Sequence, residues 1–169
     1  NKFQALTQQQ QNAIFLDMAA KELEERRNDT IATPLLILAP ETFTSDIIVG
    51  QYDRSLTWRR FSSFLKEYPD VNLLFGASSY DYIQSPLRPS HTARKMGNGL
   101  WLESHNSALM TDWNGRTEIF HKSKPVVAVE HTPYPAEFCR IDDLLGGVRG
   151  RSTGQDEISL LNVKDTEGQ

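Results

Sequence analysis

The spacing of hydrophobic positions changes several times along the chain, and each change marks an element. From Gln8 to Arg27 there is no Gly or Pro, and Ile14, Phe15, Met18, Ala19 and Leu23 recur at three- and four-residue intervals. Those intervals build one apolar stripe on a helix. Thr7 supplies the N-cap, and the mixed charges from Lys21 to Arg27 form the wet side. The run from Gln8 to Gln11 is then the first turn of this helix, not a low-complexity tract. Pro34-Leu35-Leu36-Ile37-Leu38-Ala39-Pro40 is a short continuous apolar run between prolines, the pattern of a strand buried on both faces. A second helix is expected over Ser55 to Glu67, with Leu56, Phe61, Phe64 and Leu65 inward. Val71 to Ala77 reads as a second buried strand.

Beyond Ser79 the pattern turns polar, and Tyr80 to Gly97 reads as a surface excursion. Leu100 to Asp112 alternates, Asn114-Gly115 is a hairpin turn signal, and Thr117 to Lys122 is the returning strand. Val126 to Val129 is a further apolar run. It leads into a long loop with Pro133, Pro135, Gly146, Gly147 and Gly150, then a last short strand over Ile158 to Val163 and a polar tail from Lys164 to Gln169. The order helix, strand, helix, strand defines a layered α/β domain. With no repeat and no linker, the chain reads as one domain.

Composition narrows the function classes. The 169 residues are 38% hydrophobic and 24% charged, enough for a packed core. A net charge of −4 argues against a nucleic-acid binder. No apolar run approaches the ~18 residues of a spanning helix, and no signal-peptide pattern is present. A membrane protein can still own such a chain as its extramembrane domain. The one cysteine excludes an internal disulfide, and with four scattered histidines it excludes the common cysteine-rich zinc patterns.

Four residues carry candidate chemistry. Glu41 follows directly on a buried strand, at the edge where open α/β sheets place ligands. Partial burial there would suit it to general-base work, while a loop glutamate that caps the next segment gives the same pattern. Lys122, in Phe120-His121-Lys122-Ser123-Lys124, could stabilise a developing oxyanion beside a carboxylate, or be a solvated edge-strand lysine. Glu130 repeats the strand-then-acid pattern after Val126 to Val129 and could orient Lys122 or contact substrate, or be a loop acid. Cys139 is the obvious nucleophile by type, yet no strand or tight turn presents it, and a small buried thiol fits it better. His91, His105, His121 and His131 lack metal-ligand spacing and read as surface or hydrogen-bonding residues. The glycines at 146, 147 and 150 lack a phosphate-loop lysine and read as turns.

Together these motifs resemble one family. Leu36-Ile37-Leu38-Ala39-Pro40-Glu41-Thr42 is similar to the "apolar strand, Pro-Glu-Thr" element of the carbon–nitrogen hydrolase (nitrilase) superfamily. Asn106-Ser107-Ala108-Leu109, Asn114-Gly115 and Phe120-His121-Lys122-Ser123-Lys124 resemble its "asparagine-serine-alanine, hairpin, Tyr-x-Lys" element, with Phe120 in place of the Tyr. Val126 to Val129, Glu130, Pro133 and Leu144-Leu145-Gly146-Gly147 look like the apolipoprotein N-acyltransferase branch, although Pro125 and Val127 stand where that branch prefers Leu and Pro. The resemblance covers nearly the whole chain in order.

The resemblance implies a nitrilase-like α-β-β-α sandwich, incomplete here, and a Glu-Lys-Cys triad with Glu41 as general base and Lys122 as oxyanion stabiliser. Glu130 matches a further acid of the acyltransferase branch. The family's nucleophilic cysteine lies further on, so residues 1–169 are expected to be part of a catalytic domain without its nucleophile. The implied reaction moves an acyl chain from a phospholipid to the N-terminal amine of a lipoprotein's diacylglyceryl-cysteine, through a thioester and without a metal or organic cofactor. It implies a bacterial inner-membrane parent, anchored by helices upstream of Asn1, whose domain faces the periplasm. Unpaired sheet edges make self-association an expectation as well. A soluble nitrilase-type amidase and a non-catalytic interaction domain, with Glu41 and Lys122 a plain ion pair, are the other readings.

Overall fold

A computed structural model describes residues 6–27, 34–123 and 159–163. Helix α1, Gln8–Glu25, starts at a capping box: the Thr7 hydroxyl accepts from the Gln10 amide at 3.3 Å, and the Gln10 side chain accepts from the Thr7 amide at 2.9 Å. The glutamine run is therefore the first turn, as expected. The helix is rotated from the expected stripe. Phe15, Leu16 and Leu23 pack inward, but Ile14 is 48% and Met18 68% exposed. A polar contact accounts for the rotation: Asn12 is buried and donates to the Thr57 hydroxyl at 3.1 Å, which turns its own side of the helix to the core.

Strand β1, Leu35–Leu38, and strand β2, Thr44–Ile48, both run parallel to β3, Val71–Gln84, along the same edge. A 3-10 turn at Tyr52–Arg54 leads into helix α2, Leu56–Leu65, capped by the Ser55 hydroxyl. Strand β2 gave no apolar signal because its first half is polar. Its Asp46 carboxylate accepts from the Ser55 hydroxyl at 2.8 Å and the Thr57 amide at 3.3 Å, which places negative charge at the start of α2, where the helix dipole favours it. In α2, Phe61 and Leu65 are fully buried and Phe64 packs at the rim, but Leu56, the first helical residue, is 47% exposed, against expectation.

Strand β3 runs well past Ala77, and β4, Arg94–Gly97, follows it, so the supposed excursion over Tyr80 to Gly97 is largely sheet. Its polar residues stay in the strand because β5, Leu100–Thr111, pairs antiparallel with β3 from Leu73 to Gln84. The hairpin to β6, Thr117–His121, forms as expected: Gly115 has φ 76°, and Asp112 accepts from the Asn114 and Arg116 amides, each at 2.9 Å. Residues 159–163 form no strand, contrary to expectation. The Asn162 amide donates to Glu118 instead, at 3.1 Å, and Leu160 is exposed.

The described residues thus make a mixed α/β fold of two helices and one six-stranded mixed sheet. The core lies between the helices and one sheet face, where Ile47, Phe61, Leu65, Leu73, Phe75, Ala77 and Leu109 are fully buried and Phe61 meets Phe75 edge-to-face at 5.1 Å. Strand β1 is not buried on both faces: Leu35 and Ile37 pack on the core, while Leu36 and Leu38 are 41% and 64% exposed. Both helices cover the same side; among the described residues the other is open around Leu36, Leu38 and Glu41, but Asn72 and Met110 are buried there, near Asn162. No described helix is long and apolar enough to cross a membrane.

Truncating Phe61 to Ala should cost about 3–5 kcal/mol, the usual range for a fully buried aromatic. Leu56→Ala should change stability by well under about 1 kcal/mol. Urea unfolding of the two variants checks the assignment of inward positions.

Candidate active site

The turn after β1 is built on a close backbone approach. Ala39 N donates to Leu74 O at 2.8 Å, Gly76 N to Pro40 O at 3.1 Å and Phe43 N to Gly76 O at 3.0 Å. Glu41 therefore crosses directly above β3 at Gly76. A Cβ at position 76 would sit 1.5 Å from the Glu41 carbonyl oxygen, so only glycine fits. The sequence reading passed over Gly76, although an isolated glycine inside an apolar strand is itself a sign of close backbone approach.

Two strands deliver the partners of Glu41. The β5–β6 register sets Ser107 opposite His121, and the next amide, Lys122 N, donates to Asn106 O at 2.7 Å. Lys122 Nζ then donates to Glu41 Oε1 at 2.8 Å, and Asn106 Nδ2 donates to the same oxygen at 3.1 Å. Glu41 and Lys122 are 81 positions apart in sequence, and they meet well inside the ~4–6 Å range over which opposite charges influence each other. Asn106 was part of a recognised motif but had no assigned role. The structure places it on the carboxylate.

The three side chains line an open pocket of about 340 Å3, whose remaining walls include Ala39, Leu74, Gly76, Ala108 and Phe120. The expected partial burial of Glu41 is not found: its side chain is 65% exposed and that of Lys122 31%, because this sheet face is uncovered around them among the described residues. An ion pair so exposed stabilises a fold by only about 0–1 kcal/mol. Chemically, the arrangement sets a proton-accepting carboxylate beside a cation and an amide donor, over an apolar floor. Glu130 and Cys139 lie outside the described residues, as does His131.

Two histidines sit on the reverse face, behind the site. The rings of His105 and His121 stack with centroids 4.1 Å apart, and His121 Nδ1 pairs with the Ser107 hydroxyl at 2.8 Å, which in turn meets the Ser79 hydroxyl at 2.7 Å. His105 is buried, because its register opposite Ser79 points it to the helix side, and His121 is hydrogen-bonded, one of the two roles expected of these histidines. Burial, and then the neighbouring His105, push the His121 imidazole down from its ordinary 6.5 to about 4, against an opposing pull from Asp81. Among the described residues no three His, Cys, Asp or Glu side chains gather to hold a metal ion. No family model matches the chain, and no curated protein matches it.

Two predictions follow from this geometry. Gly76→Ala should displace the Glu41 turn or prevent folding, whereas Gly50→Ala, with open space around it but a φ of 73°, should cost only about 1 kcal/mol. Thermal unfolding separates the two. For His121, a folded value of about 4 lies below the unfolded 6.5, so the unfolded chain binds more protons between them. Stability should therefore rise with pH across that window and be lost as pH falls, by on the order of 2 kcal/mol from this group. Urea titrations of wild type and His121→Asn should differ in slope between those two pH values and run parallel above neutrality.

Proposed function

We propose that this chain is part of the catalytic domain of an apolipoprotein N-acyltransferase-type enzyme of the nitrilase superfamily. The contact that carries this reading is the 2.8 Å pairing of Lys122 with Glu41, on the open end of a sheet and joined by Asn106 from the Asn-Ser-Ala motif. The finer architecture, an α-β-β-α sandwich, is supported by helices on one sheet face and exposed Leu36 and Leu38 on the other, where a second sheet would pack.

In this reading Glu41 takes the proton of a cysteine thiol, and the sulfur attacks a phospholipid ester carbonyl. The Lys122 ammonium stabilises the tetrahedral oxyanion. Collapse forms the thioester, and the lysophospholipid alcohol leaves with the proton from Glu41. The lipoprotein amine then attacks the thioester and passes its proton to Glu41, and the sulfur leaves as the thiol once reprotonated. Asn106 holds Glu41 in place through both steps. The nucleophile comes from sequence following this segment, Glu130 matches a further acid of the acyltransferase branch, and no metal or organic cofactor takes part. The membrane anchor belongs to the parent protein, a bacterial inner-membrane enzyme with its domain in the periplasm.

In the full-length parent, Glu41→Gln should lower thioester formation and acyl transfer by about 100-fold or more, and Lys122→Met by a similar factor. Mass spectrometry of the trapped thioester and a lipoprotein acylation assay read the two steps. Activity within a few-fold of wild type in both variants would leave the pair a plain ion pair in an interaction domain. Hydrolysis of small amides without acyl transfer would favour the soluble amidase. The 169-residue segment alone should form no thioester, and an acyl group on Cys139 would refute the placement of the nucleophile.

A further inference from the structure

The far end of the sheet carries a second feature, separate from the Glu41 site. Past Tyr80, the last β3 residue paired with β2, strands β3 and β5 continue together and β4 joins them. The span from Tyr82 to Leu102 holds Arg88, Arg94 and Lys95, within a chain whose net charge is −4. The acids that bound it, Asp81 and Glu103, stand opposite each other in register across β3 and β5, and Glu103 is buried and accepts from the Ser90 hydroxyl. The same end exposes large apolar side chains: Leu87 at 76%, Met96 at 56% and Tyr82 at 46%.

These side chains gather at one tip. Ser85 N donates to Gly99 O at 2.8 Å, and Trp101 Nε1 donates to Ser85 O at 3.0 Å, which ties the 85–93 loop to the β4–β5 turn. The Arg88 guanidinium donates to the carbonyls of Ser90 at 3.0 Å and His91 at 2.8 Å and so bends the loop back on itself. Register places Tyr82, Leu102 and Arg94 in one row across β3, β5 and β4, on the face that also carries Asn106. Leu102 and Asn106 are four residues apart on one strand, about 13 Å.

We infer that this basic, apolar tip docks on an anionic lipid surface. Cations beside exposed aliphatic side chains match what such a surface offers, negative headgroups over hydrocarbon. A single-stranded nucleic acid would call for a platform of aromatic side chains; Tyr82 and Trp101 are the aromatic side chains here, whereas the most exposed large side chains, Leu87 and Met96, are aliphatic, which favours lipid. Docking of this tip sets the Glu41 side of the sheet beside the lipid headgroups. The inference does not rest on acyl transfer, since adsorption is read without chemistry.

The test is co-sedimentation of the 169-residue chain with vesicles of phosphatidylglycerol and phosphatidylcholine, and with phosphatidylcholine alone. Binding should require phosphatidylglycerol, weaken at high salt, and shift Trp fluorescence to the blue. Lys95→Gln should weaken it roughly fivefold, and the double variant Leu87→Ser, Met96→Ser should also weaken it and reduce the blue shift. Circular dichroism confirms that these exposed positions leave the fold intact. Lys21→Gln, an exposed cation on α1 away from the tip, should bind vesicles like wild type, and because adsorption is read without chemistry this result is separate from the fate of the catalytic reading. Equal binding to neutral vesicles, no binding, indifference to the tip variants, or preference for single-stranded RNA would each overturn the proposal.

Discussion

The Glu41 backbone and a side chain at position 76 would need the same space, and this exclusion organises the site. Two short parallel strands, β1 and β2, share one edge of β3, and the chain passes from one to the other by crossing over Gly76. With glycine there, the crossing keeps hydrogen bonds on either side and lifts one residue, Glu41, above the sheet. With any other residue, the turn would swing away from β3 and take the carboxylate out of reach of Asn106 and Lys122. The position of the acid is thus set by main-chain sterics, and its side chain only completes the contact.

The other two members are placed by register. The Asp112-capped turn at Asn114-Gly115 fixes how β5 and β6 slide against each other, and a slip of one residue would send Lys122 to the helix side. Behind the site, the His105–His121 stack and the Ser79–Ser107–His121 hydroxyl and imidazole contacts lock the same register from the other face. Alternation along these strands therefore does two jobs. Odd positions pack or hydrogen-bond beneath the helices, and even positions present Asn106, Lys122 and Gly76 to the open side.

Much of this was legible in the sequence, and the failures have physical causes. The first helix, the apolar strand after Pro34, the second helix and the hairpin were visible because cap, period and turn residues agree with one another at each. Glu41 was visible because it follows an apolar strand, and Lys122 because it ends the returning strand of a hairpin, each within a recognisable motif. The polar strands were not: Thr44–Ile48 and the second half of β3 hold their place through side-chain hydrogen bonds and pairing with distant strands, and neither leaves a local apolar pattern. Helix rotation was missed for a similar reason, since one buried Asn12 contact outweighs the stripe that Ile14 and Met18 suggested. Asn106 and Gly76 went unassigned because their roles depend on which strands become neighbours, which no local window contains.

One sheet thus serves two unlike surfaces. Its helix side is sealed by Phe61, Phe75 and Leu109, and the dense packing there leaves no freedom for the strands to shift. That rigidity is what an exposed ion pair needs if it is to hold a geometry, because its own attraction is too weak in water to impose one. The open side can then remain wet and polar at Glu41 and apolar at Leu36 and Leu38 without loss of order. A carboxylate, an ammonium and an amide that meet on a rigid support make an arrangement suited to chemistry, since the support keeps its shape when charge moves from one group to another.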